Sequence, residues 1–502
     1  MMENPVKHGL YSVAQIRAVE QKALAAQPPA NLMQRAGQAA AAWALELIHE
    51  VRPVLVLAGP GNNGGDALEV AANLRDAGVD VTVVHIAGSA PSAETAAALD
   101  RCQMDGVTFV DAPPETQWAL VVDGLFGIGL TRALDERAAS LVRDLAGCPI
   151  LALDVPSGLD ADTGTVAGGG VAVRATHTIT FIGDKPGLHT GDGRDYAGIV
   201  RVASLDIDPL LLPAPEAHLV TPATFAAALP RSQRRENSHK GTFGDVAIIG
   251  GAEGMAGAAI LAARTALLSG AGRVFVAALD ARLSLDPLHP EIMFRAAAGF
   301  DLAQCTLVAG PGMGDSAQAR KLLGDAIAGD APLILDADAL NQLAAEPGLQ
   351  EAVRTRSPMA VLTPHPLEAA RLLGMTTKVV QADRLAAARE LAARCGAVVV
   401  LKGSGTVIAH PDGRVAINTT GNAGLATGGA GDVLSGLTGT LLAQGWDAWL
   451  AALGAVWLHG AAADRLVADG IGPIGLAASE LPAAVRAAFN ALVTAAAVPP
   501  RS

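Results

Sequence analysis

Short apolar runs recur along the chain, each closing on glycine or a polar residue and each followed by a stretch whose apolar positions fall three and four apart. In the first half the runs are Pro53–Ala58, Val79–Ile86, Trp118–Val122 and Ile150–Leu153. In the second they are Asp245–Ile249, Arg273–Ala278, Thr306–Ala309, Leu333–Leu335, Ala360–Leu362 and Val398–Leu401. Such runs predict strands buried in a sheet, and the stretches between them predict helices laid over it. Ala67–Ala77 is one such helix and makes a βαβ unit with the strands on either side. Val433, Leu434, Leu437, Leu441 and Leu442 mark the buried side of another. Ser12 with Gln15, and Asn31 with Gln34, have capping-box spacing, so helices are expected from Ser12 to about Ala25 and from Asn31 to near Glu50. Alternating strands and helices define an α/β protein built on parallel sheets.

The alternation is interrupted at one place. Asp206–Ala217 reads DIDPLLLPAPEA, a short helical stretch starts at Pro222, and Arg231–Lys240 is polar and basic. This predicts a boundary near residue 215 and two domains, 10–213 and 222–492.

Composition narrows the picture. The 502 residues fit two large α/β domains, and 51% hydrophobic against 17% charged residues exclude wholesale disorder. A net charge of −13 argues against a nucleic-acid surface, whose affinity comes from Lys and Arg neutralising phosphates. It still allows an anionic ligand held by backbone N–H groups. Cys102, Cys148, Cys305 and Cys395 show no CxxC spacing, so neither a zinc site nor a disulfide framework is expected. Glu3, Asn4, Pro5 and Lys7 stand where a signal peptide has a basic head and an apolar run. Trp446–Ala463 is interrupted by Asp447 and His459 and is too short for a membrane span. A cytoplasmic protein without nucleic-acid or membrane partners is the expectation.

The chemistry is concentrated at the strand ends. Gly421–Gly439 reads GNAGLATGGAGDVLSGLTG, so bare N–H groups run straight into a helix start and form an anion site. Asp432 would repel a phosphate there, which points to a different role, that of taking the proton from a hydroxyl that attacks the phosphate. The competing reading is an acidic helix cap. Lys402-Gly403-Ser404-Gly405-Thr406 offers a cation, hydroxyls and open backbone suited to a nucleotide phosphate or ribose, without the order of a Walker loop. Asp336 and Asp338 either cap the helix near Ala339 or bind a metal. His365, between Pro364 and Pro366, either presents its ring to a ligand or packs a loop.

In the first half Gly59–Asp66 reads GPGNNGGD, expected as a loop before Ala67. It is not the GxGxxG fingerprint, because Asn62, Asn63 and Asp66 add groups able to hold ribose, an amide or a cation. Asp123 precedes GLFGIGL and Asp154 precedes VPSGLD. Ligands of open parallel sheets bind beyond the carboxyl ends of the strands, so Asp66, Asp123 and Asp154 are expected to converge.

Residues Leu10–Pro213 resemble the NAD(P)H-hydrate epimerase domain, the YjeF N-terminal family, through GPGNNGGD at 59–66, DGLFGIGL at 123–130, DVPSGLD at 154–160 and KPGL at 185–188. The resemblance implies that Asn62, Asn63, Gly64, Gly65, Asp66, Gly127, Ile128, Gly129, Leu130, Thr131 and Arg132 contact a hydrated nicotinamide nucleotide. It also implies that Asn63, Asp123 and Ser157 hold K+, and that Asp154 is the acid–base residue at the epimerised carbon. Ile128 departs from a frequent Thr. Residues Pro222–Phe489 resemble the ADP-dependent NAD(P)H-hydrate dehydratase domain of the ribokinase-like superfamily. The matching segments are HKGTFGDVAIIGG at 239–251, GPGMG at 310–314, LDADALN at 335–341, TPHPLE at 363–368, KGSGT at 402–406 and TGGAGDVLSG at 427–436. By this resemblance Ala258, Gly312, His365 and Asp432 contact the hydrate, and Lys402, Gly403, Ser404, Gly405, Thr406 and Gly431 contact the adenine nucleotide. Leu367 in place of Gly and Ala430 in place of Thr or Ser are departures that remove no charged group.

Together the resemblances imply a Rossmann-like doubly wound sheet followed by a ribokinase-like α/β/α sandwich. They imply epimerisation of (R)- and (S)-NAD(P)H hydrates (NADHX and NADPHX) and ADP-dependent dehydration of the (S)-form, with Mg2+ at the second site and a homo-oligomer. The alternative is a ribokinase-like small-molecule or vitamin kinase with an accessory nucleotide-binding domain. A third reading makes the first half a binding module without catalysis. Neither explains why Asn63, Asp66, Asp123, Asp154 and Ser157 occur together.

Overall fold

Val54–Ala58 is buried at every residue, and its side chains divide by parity between two cores. Val54, Val56 and Ala58 face one side with Leu68, Trp43 and Ile16, whereas Leu55 and Leu57 face the other with Trp118, Leu141 and Leu145. A strand apolar on both faces belongs in the middle of a covered parallel sheet. That is its position in the computed structural model of the chain, which describes residues 8–26, 30–88, 91–145 and 147–497. Glu3, Asn4, Pro5 and Lys7, on which the signal-peptide expectation rests, lie outside the described residues. The chain divides into two compact units between His218 and Leu219.

The sheet of the first unit has seven strands, in the order Thr108–Val110, Val81–His85, Val54–Ala58, Leu120–Gly124, Ile150–Leu153, His177–Phe181, Ile199–Ala203. All pairs are parallel. The order reverses between Val54–Ala58 and Leu120–Gly124, so a crevice opens beyond their carboxyl ends. In the second unit seven parallel strands run in the order Val398–Leu401, Val361–Leu362, Leu333–Leu335, Thr306–Ala309, Asp245–Gly250, Arg273–Ala278, Met293–Ala296. The antiparallel pair Thr406–Ala409 and Val415–Asn418 extends the Val398 end. Helices Ala256–Leu268, Ala430–Ala443, Ala448–Ala468 and Leu481–Ala497 supply one core with Val246, Ile248, Val308 and Val400. Among the described residues no helix is long and apolar enough to cross a membrane. The apolar stretch around Trp446 is instead part of this core, with Asp447 capping its helix by accepting from the Leu450 N–H at 2.9 Å.

The expected strands and the Ser12 capping box are present, but two local expectations give way. Asn31 makes no side-chain bond to the backbone, and the helix it precedes runs Leu32–Leu47. The segment Asn62–Asp66 is not loop: the helix there runs Asn62–Asp76 from an N-cap at Gly61. Asn and Gly have poor helix propensity, yet tertiary contact overrides it. A Cβ on Gly64 would stand 1.9 Å from the Gly59 carbonyl oxygen, so only glycine lets the first turn sit this close to the strand end.

Other glycines mark equally close approaches. A Cβ at Gly59 would stand 1.7 Å from the Leu125 oxygen, and one at Gly436 would stand 2.2 Å from the Ala262 oxygen. Overpacking of this kind costs ~1–3 kcal/mol or more. Calorimetry is therefore expected to show Gly59→Ala lowering the transition of the first unit and Gly436→Ala that of the second. Gly324→Ala, in the helix Ala317–Ala328 with nothing within 4 Å of the added methyl, raises stability by about 0.5–1 kcal/mol.

Candidate active sites

The crevice of the first unit is a cavity of about 540 Å³. Asn62, Asn63 and Asp66 line it from the helix start, Gly127–Arg132 from the loop after Leu120–Gly124, and Asp154 from the next strand end. Gly64 and Gly65 do not line it; they let the helix start pack closely. Asp154 carries φ +65°, and Ile182 and Leu205, also in the wall, carry +67° and +52°. Positive φ at non-glycine residues costs ~1–3 kcal/mol each and concentrates at functional sites.

The polar groups of this cavity are unequally satisfied. Asp154 Oδ1 accepts from Lys185 Nζ at 2.5 Å and from the Phe181 N–H at 3.3 Å. Lys185 is fully buried and also donates to Thr180 Oγ1 at 2.7 Å and the Phe181 carbonyl at 2.9 Å. Asp66 has no such partner, and burial with the nearby Asp154, Glu20, Glu94 and Glu69 carboxyls raises its pKa well above the ordinary value. Burial and Asp154 likewise raise that of Glu20, against the pull of Lys185 and Arg17. Behind the Gly127 loop, Asp123 accepts from the Ser157 hydroxyl at 2.7 Å and the Ser157 N–H at 2.8 Å. Burial pushes the Asp123 pKa up to about 6 despite these bonds. The Ser157 oxygen in turn accepts from the Phe126 N–H at 2.9 Å. The Asn63 amide is buried with neither its oxygen nor its nitrogen paired. Asp66 and Asp154 thus share the cavity, while Asp123 and Ser157 stand behind its wall.

In the second unit the order reverses at Asp245–Gly250 and Thr306–Ala309, whose following loops are bonded to each other. Gly251 and Ala252 donate to the Pro311 and Gly312 carbonyls at 3.2 and 2.8 Å. Gly312, at φ +59°, would bring a Cβ within 3.3 Å of the Ala258 methyl, so these two expected substrate contacts are neighbours. The helix Ala430–Ala443 starts from Gly429 at φ +92°, with no side-chain cap, and Asp432 lies in its first turn. A Cβ on Gly431 would stand 3.3 Å from Lys402 Nζ, so the cation of the KGSGT loop sits against this helix start.

Lys402 Nζ donates to Asp336 Oδ1 at 2.8 Å, and Ser435 Oγ donates to Asp336 Oδ2. Asp336 thus stands at the N-cap position of its helix with its carboxylate turned to Lys402 and Ser435 instead of the backbone; Asp338 accepts from the Gly314 N–H at 2.8 Å. Burial alone lowers the Lys402 pKa, but Asp336, Glu368 and Asp432 outweigh it and hold the amine above its ordinary value. Asp432 is pushed up to about 7 by burial and by Asp336, against the pull of Lys402. His365 caps the helix Pro366–Leu373, its Nδ1 accepting from the Leu367 and Glu368 N–H groups at 3.1 and 3.3 Å. Burial and Lys402 lower its pKa. Glu368, pushed up to about 7 by burial, returns the bond by accepting from the His365 N–H at 2.8 Å. The loop Gly403–Gly405 is supported from behind by the buried Arg384, which donates to the Leu401 and Lys402 carbonyls at 3.1 and 3.3 Å. Among the described residues no group of three or more His, Cys, Asp or Glu has metal-binding arrangement. Sequence reasoning missed Glu20, Lys185, Asp336's partner Ser435, Glu368 and Arg384. KPGL and TPHPLE single out the segments holding Lys185 and Glu368, but not these side chains.

Two switch points in one chain, one opening an acidic cavity and one setting a lysine against an uncapped helix start, are the architecture of a two-site enzyme acting on small ligands. Residues 29–187 match the family of the YjeF-related protein N-terminus, and residues 246–483 match that of NAD(P)H-hydrate dehydratase. The bifunctional NAD(P)H-hydrate repair enzyme Nnr of Escherichia coli is 38% identical, over 98% of this chain and 97% of its own. The bifunctional NAD(P)H-hydrate repair enzymes of Leishmania major and Coxiella burnetii are each 37% identical, covering 96% and 94% of this chain and 93% and 97% of theirs. The chain belongs to the bifunctional NAD(P)H-hydrate repair enzymes.

Removing one partner of a buried ion pair leaves the other uncompensated and costs ~3–5 kcal/mol. Lys402→Met is expected to destabilise the second unit by about that amount in urea unfolding. Adding Asp336→Asn should recover most of the loss, because no charge is then left buried alone.

Proposed function

We propose that the first domain epimerises (R)- and (S)-NAD(P)H hydrates and that the second dehydrates the (S)-form to NAD(P)H, converting ADP to AMP and phosphate. The observation that carries the reading is the pairing, in one crevice, of a glycine-opened helix start and Lys402 with the unpaired carboxyl of Asp432. An anion cradle with a proton acceptor inside it suits attack by a substrate hydroxyl on a phosphoryl group. A vitamin kinase would need this site alone. It would leave the acidic cavity of the first domain, and relatives alike over nearly the full chain, without a role.

In the hydrate a hydroxyl sits on the ring carbon next to nitrogen, and hydroxide is a poor leaving group. Asp432 accepts the hydroxyl proton, and the freed oxygen attacks the terminal phosphorus of ADP, releasing AMP. Lys402 and the N–H groups of Gly429 and Gly431 hold the charge on the transferred group. Phosphate then departs, pushed by the ring nitrogen, and a proton leaves the neighbouring carbon to restore the double bond. His365, Ala258 and Gly312 are read as the ring's seat, and Gly403–Thr406 as the nucleotide's. Mg2+ fits this site as an ion carried by the nucleotide phosphates, since Asp336 is already engaged by Lys402 and Ser435. When bound it adds neutralisation of phosphate charge.

In the first domain Asp154, paired with Lys185 in a strained conformation, is read as an acid–base residue at the epimerised carbon. The donor set behind the Gly127 loop fits K+: the Asn63 oxygen is buried and unpaired, and Asp123 and Ser157 add hard oxygens. The ion would neutralise Asp123 and steady the loop under the substrate. The same reading carries a cytoplasmic location and a homo-oligomer with it.

Asp432→Ala is expected to abolish dehydration, by about 100-fold or more, while epimerisation followed in the same preparation is unchanged. Equal loss of both activities in a folded variant would contradict this division of labour. Because Asp432 works as the carboxylate and its pKa is pushed up to about 7, kcat/KM for dehydration should be level above pH 7. It should fall about tenfold per pH unit below that value. A profile that is flat down to pH 5 would remove Asp432 from the role of base.

A further inference from the structure

Inverting a carbon that bears a hydroxyl and a ring nitrogen, with the ring kept closed, takes its bond to oxygen broken on one face of the ring and remade on the other. One carboxyl fixed on one element serves one face, so a second proton carrier is called for. The cavity supplies it from a different element. Asp154 follows the strand Ile150–Leu153, and its Oδ1 is an acceptor for Lys185, Thr180 and Phe181. Asp66 comes from the helix Asn62–Asp76, lines the same cavity, and makes no hydrogen bond among the described residues. The charged groups that act on it most strongly are carboxyls: Asp154, Glu20, Glu94 and Glu69. Of the cations, Lys185 is taken up by Asp154 and Arg17 acts on Glu20, while Arg132 lies in the cavity wall. A carboxyl so placed holds its proton where an ordinary aspartate would have lost it, so it can act as an acid beside a second carboxyl that is engaged by a lysine.

We propose that Asp66 is the second catalytic carboxyl of the epimerase site, delivering the proton that frees the ring hydroxyl, while Asp154 takes up the proton of the water that returns. The Asp66 proton passes to the hydroxyl oxygen, the carbon–oxygen bond breaks with its pair on oxygen, and water leaves. The lone pair of the ring nitrogen forms the carbon–nitrogen double bond of a planar iminium cation, whose charge faces Asp66, Asp154 and Glu20. Water adds to the other face, its surplus proton goes to Asp154, and the double-bond pair returns to nitrogen. One proton has moved from Asp66 to Asp154, and passage in the opposite direction moves it back. Asp66 thereby acquires a chemical role beyond contacting substrate, and the ion pair with Lys185 makes that lysine the positioning residue for its counterpart.

This rests on the epimerase reading of the first domain. The test uses the full chain with purified (R)- or (S)-hydrate and no ADP, with ADP-dependent dehydration of the (S)-hydrate as the check that each variant is folded. Asp66→Asn is expected to lower the kcat of epimerisation at least ~100-fold with KM within about threefold, and to leave dehydration intact. The fall of kcat with rising pH in the unchanged enzyme should disappear in Asp66→Asn and persist in Glu20→Gln. Asp66→Glu should restore part of the rate. The proposal is overturned if Asp66→Asn epimerises within about threefold of the unchanged chain, if only KM rises, or if the pH limb follows Glu20. Should the Asn variant lose dehydration too, Asp66→Glu decides: an unshifted pH limb overturns the proposal. If the unchanged chain dehydrates the (S)-hydrate but never interconverts the two, the epimerase reading itself falls and takes this proposal with it.

Discussion

Both sites depend on one steric constraint, a backbone pressed against a neighbouring carbonyl where no side chain fits. At Gly59 the neighbour is the Leu125 oxygen, at Gly250 the Pro311 oxygen, and at Gly310 the Asp336 oxygen; added Cβ atoms would stand 1.7, 2.0 and 1.8 Å away. These contacts close the base of each crevice and bring a helix start to its edge. With the helix start come unpaired N–H groups and the residues of its first turns, Asn63 and Asp66 in one unit, Gly431 and Asp432 in the other. Strain gathers at the same places, in Asp154, Ile182 and Leu205 around the first cavity and in Ala337 next to Asp336. Strands buried over their whole length hold that strain in place, since each fully buried large apolar side chain contributes ~1.5–3 kcal/mol.

Charge is arranged alike in the two sites. A lysine at the back of each crevice is tied to an aspartate that follows a strand, Lys185 to Asp154 and Lys402 to Asp336. A second carboxyl on the helix side, Asp66 or Asp432, is left without a cation of its own. Buried ion pairs are poor devices for stability, because desolvation offsets most of their attraction. Their effect here is to hold one carboxylate in place, while the other, without a cation of its own, is displaced towards the neutral form. Two carboxyls of the same ordinary acidity thereby acquire different roles.

The strands, the division into two α/β halves and the glycine-lined ends were legible in the sequence because each rests on local pattern: buried runs, breakers and cap spacing. Asp432 and Asp66 stood out for the same reason, as carboxylates beside bare backbone. Pairings made across the fold were not legible. Lys402 reaches Asp336 over 66 residues and Ser435 reaches the same aspartate over 99, and no spacing announces either. Arg384 looked like an ordinary helical arginine, yet it is buried with its guanidinium under the nucleotide-loop candidate. The start of the helix at Asn62 was hidden because the propensity of Asn-Asn-Gly-Gly argues for loop, and only the fit of Gly64 beneath the strand end reverses that.

The separation of two chemistries in one chain follows from electrostatics. A cavity lined by Glu20, Asp66 and Asp154 favours a transient positive charge on a ring and offers little to a phosphoryl group in transfer. A site with Lys402 against an uncapped helix start instead favours the phosphoryl group that the hydroxyl must carry before it can leave. The two sites therefore answer different demands, one stabilising the ring cation and the other activating the leaving group. On the proposed reading, inversion and dehydration of the same ring carbon are divided between two sites of opposite charge, each with a lysine–aspartate pair behind a helix start.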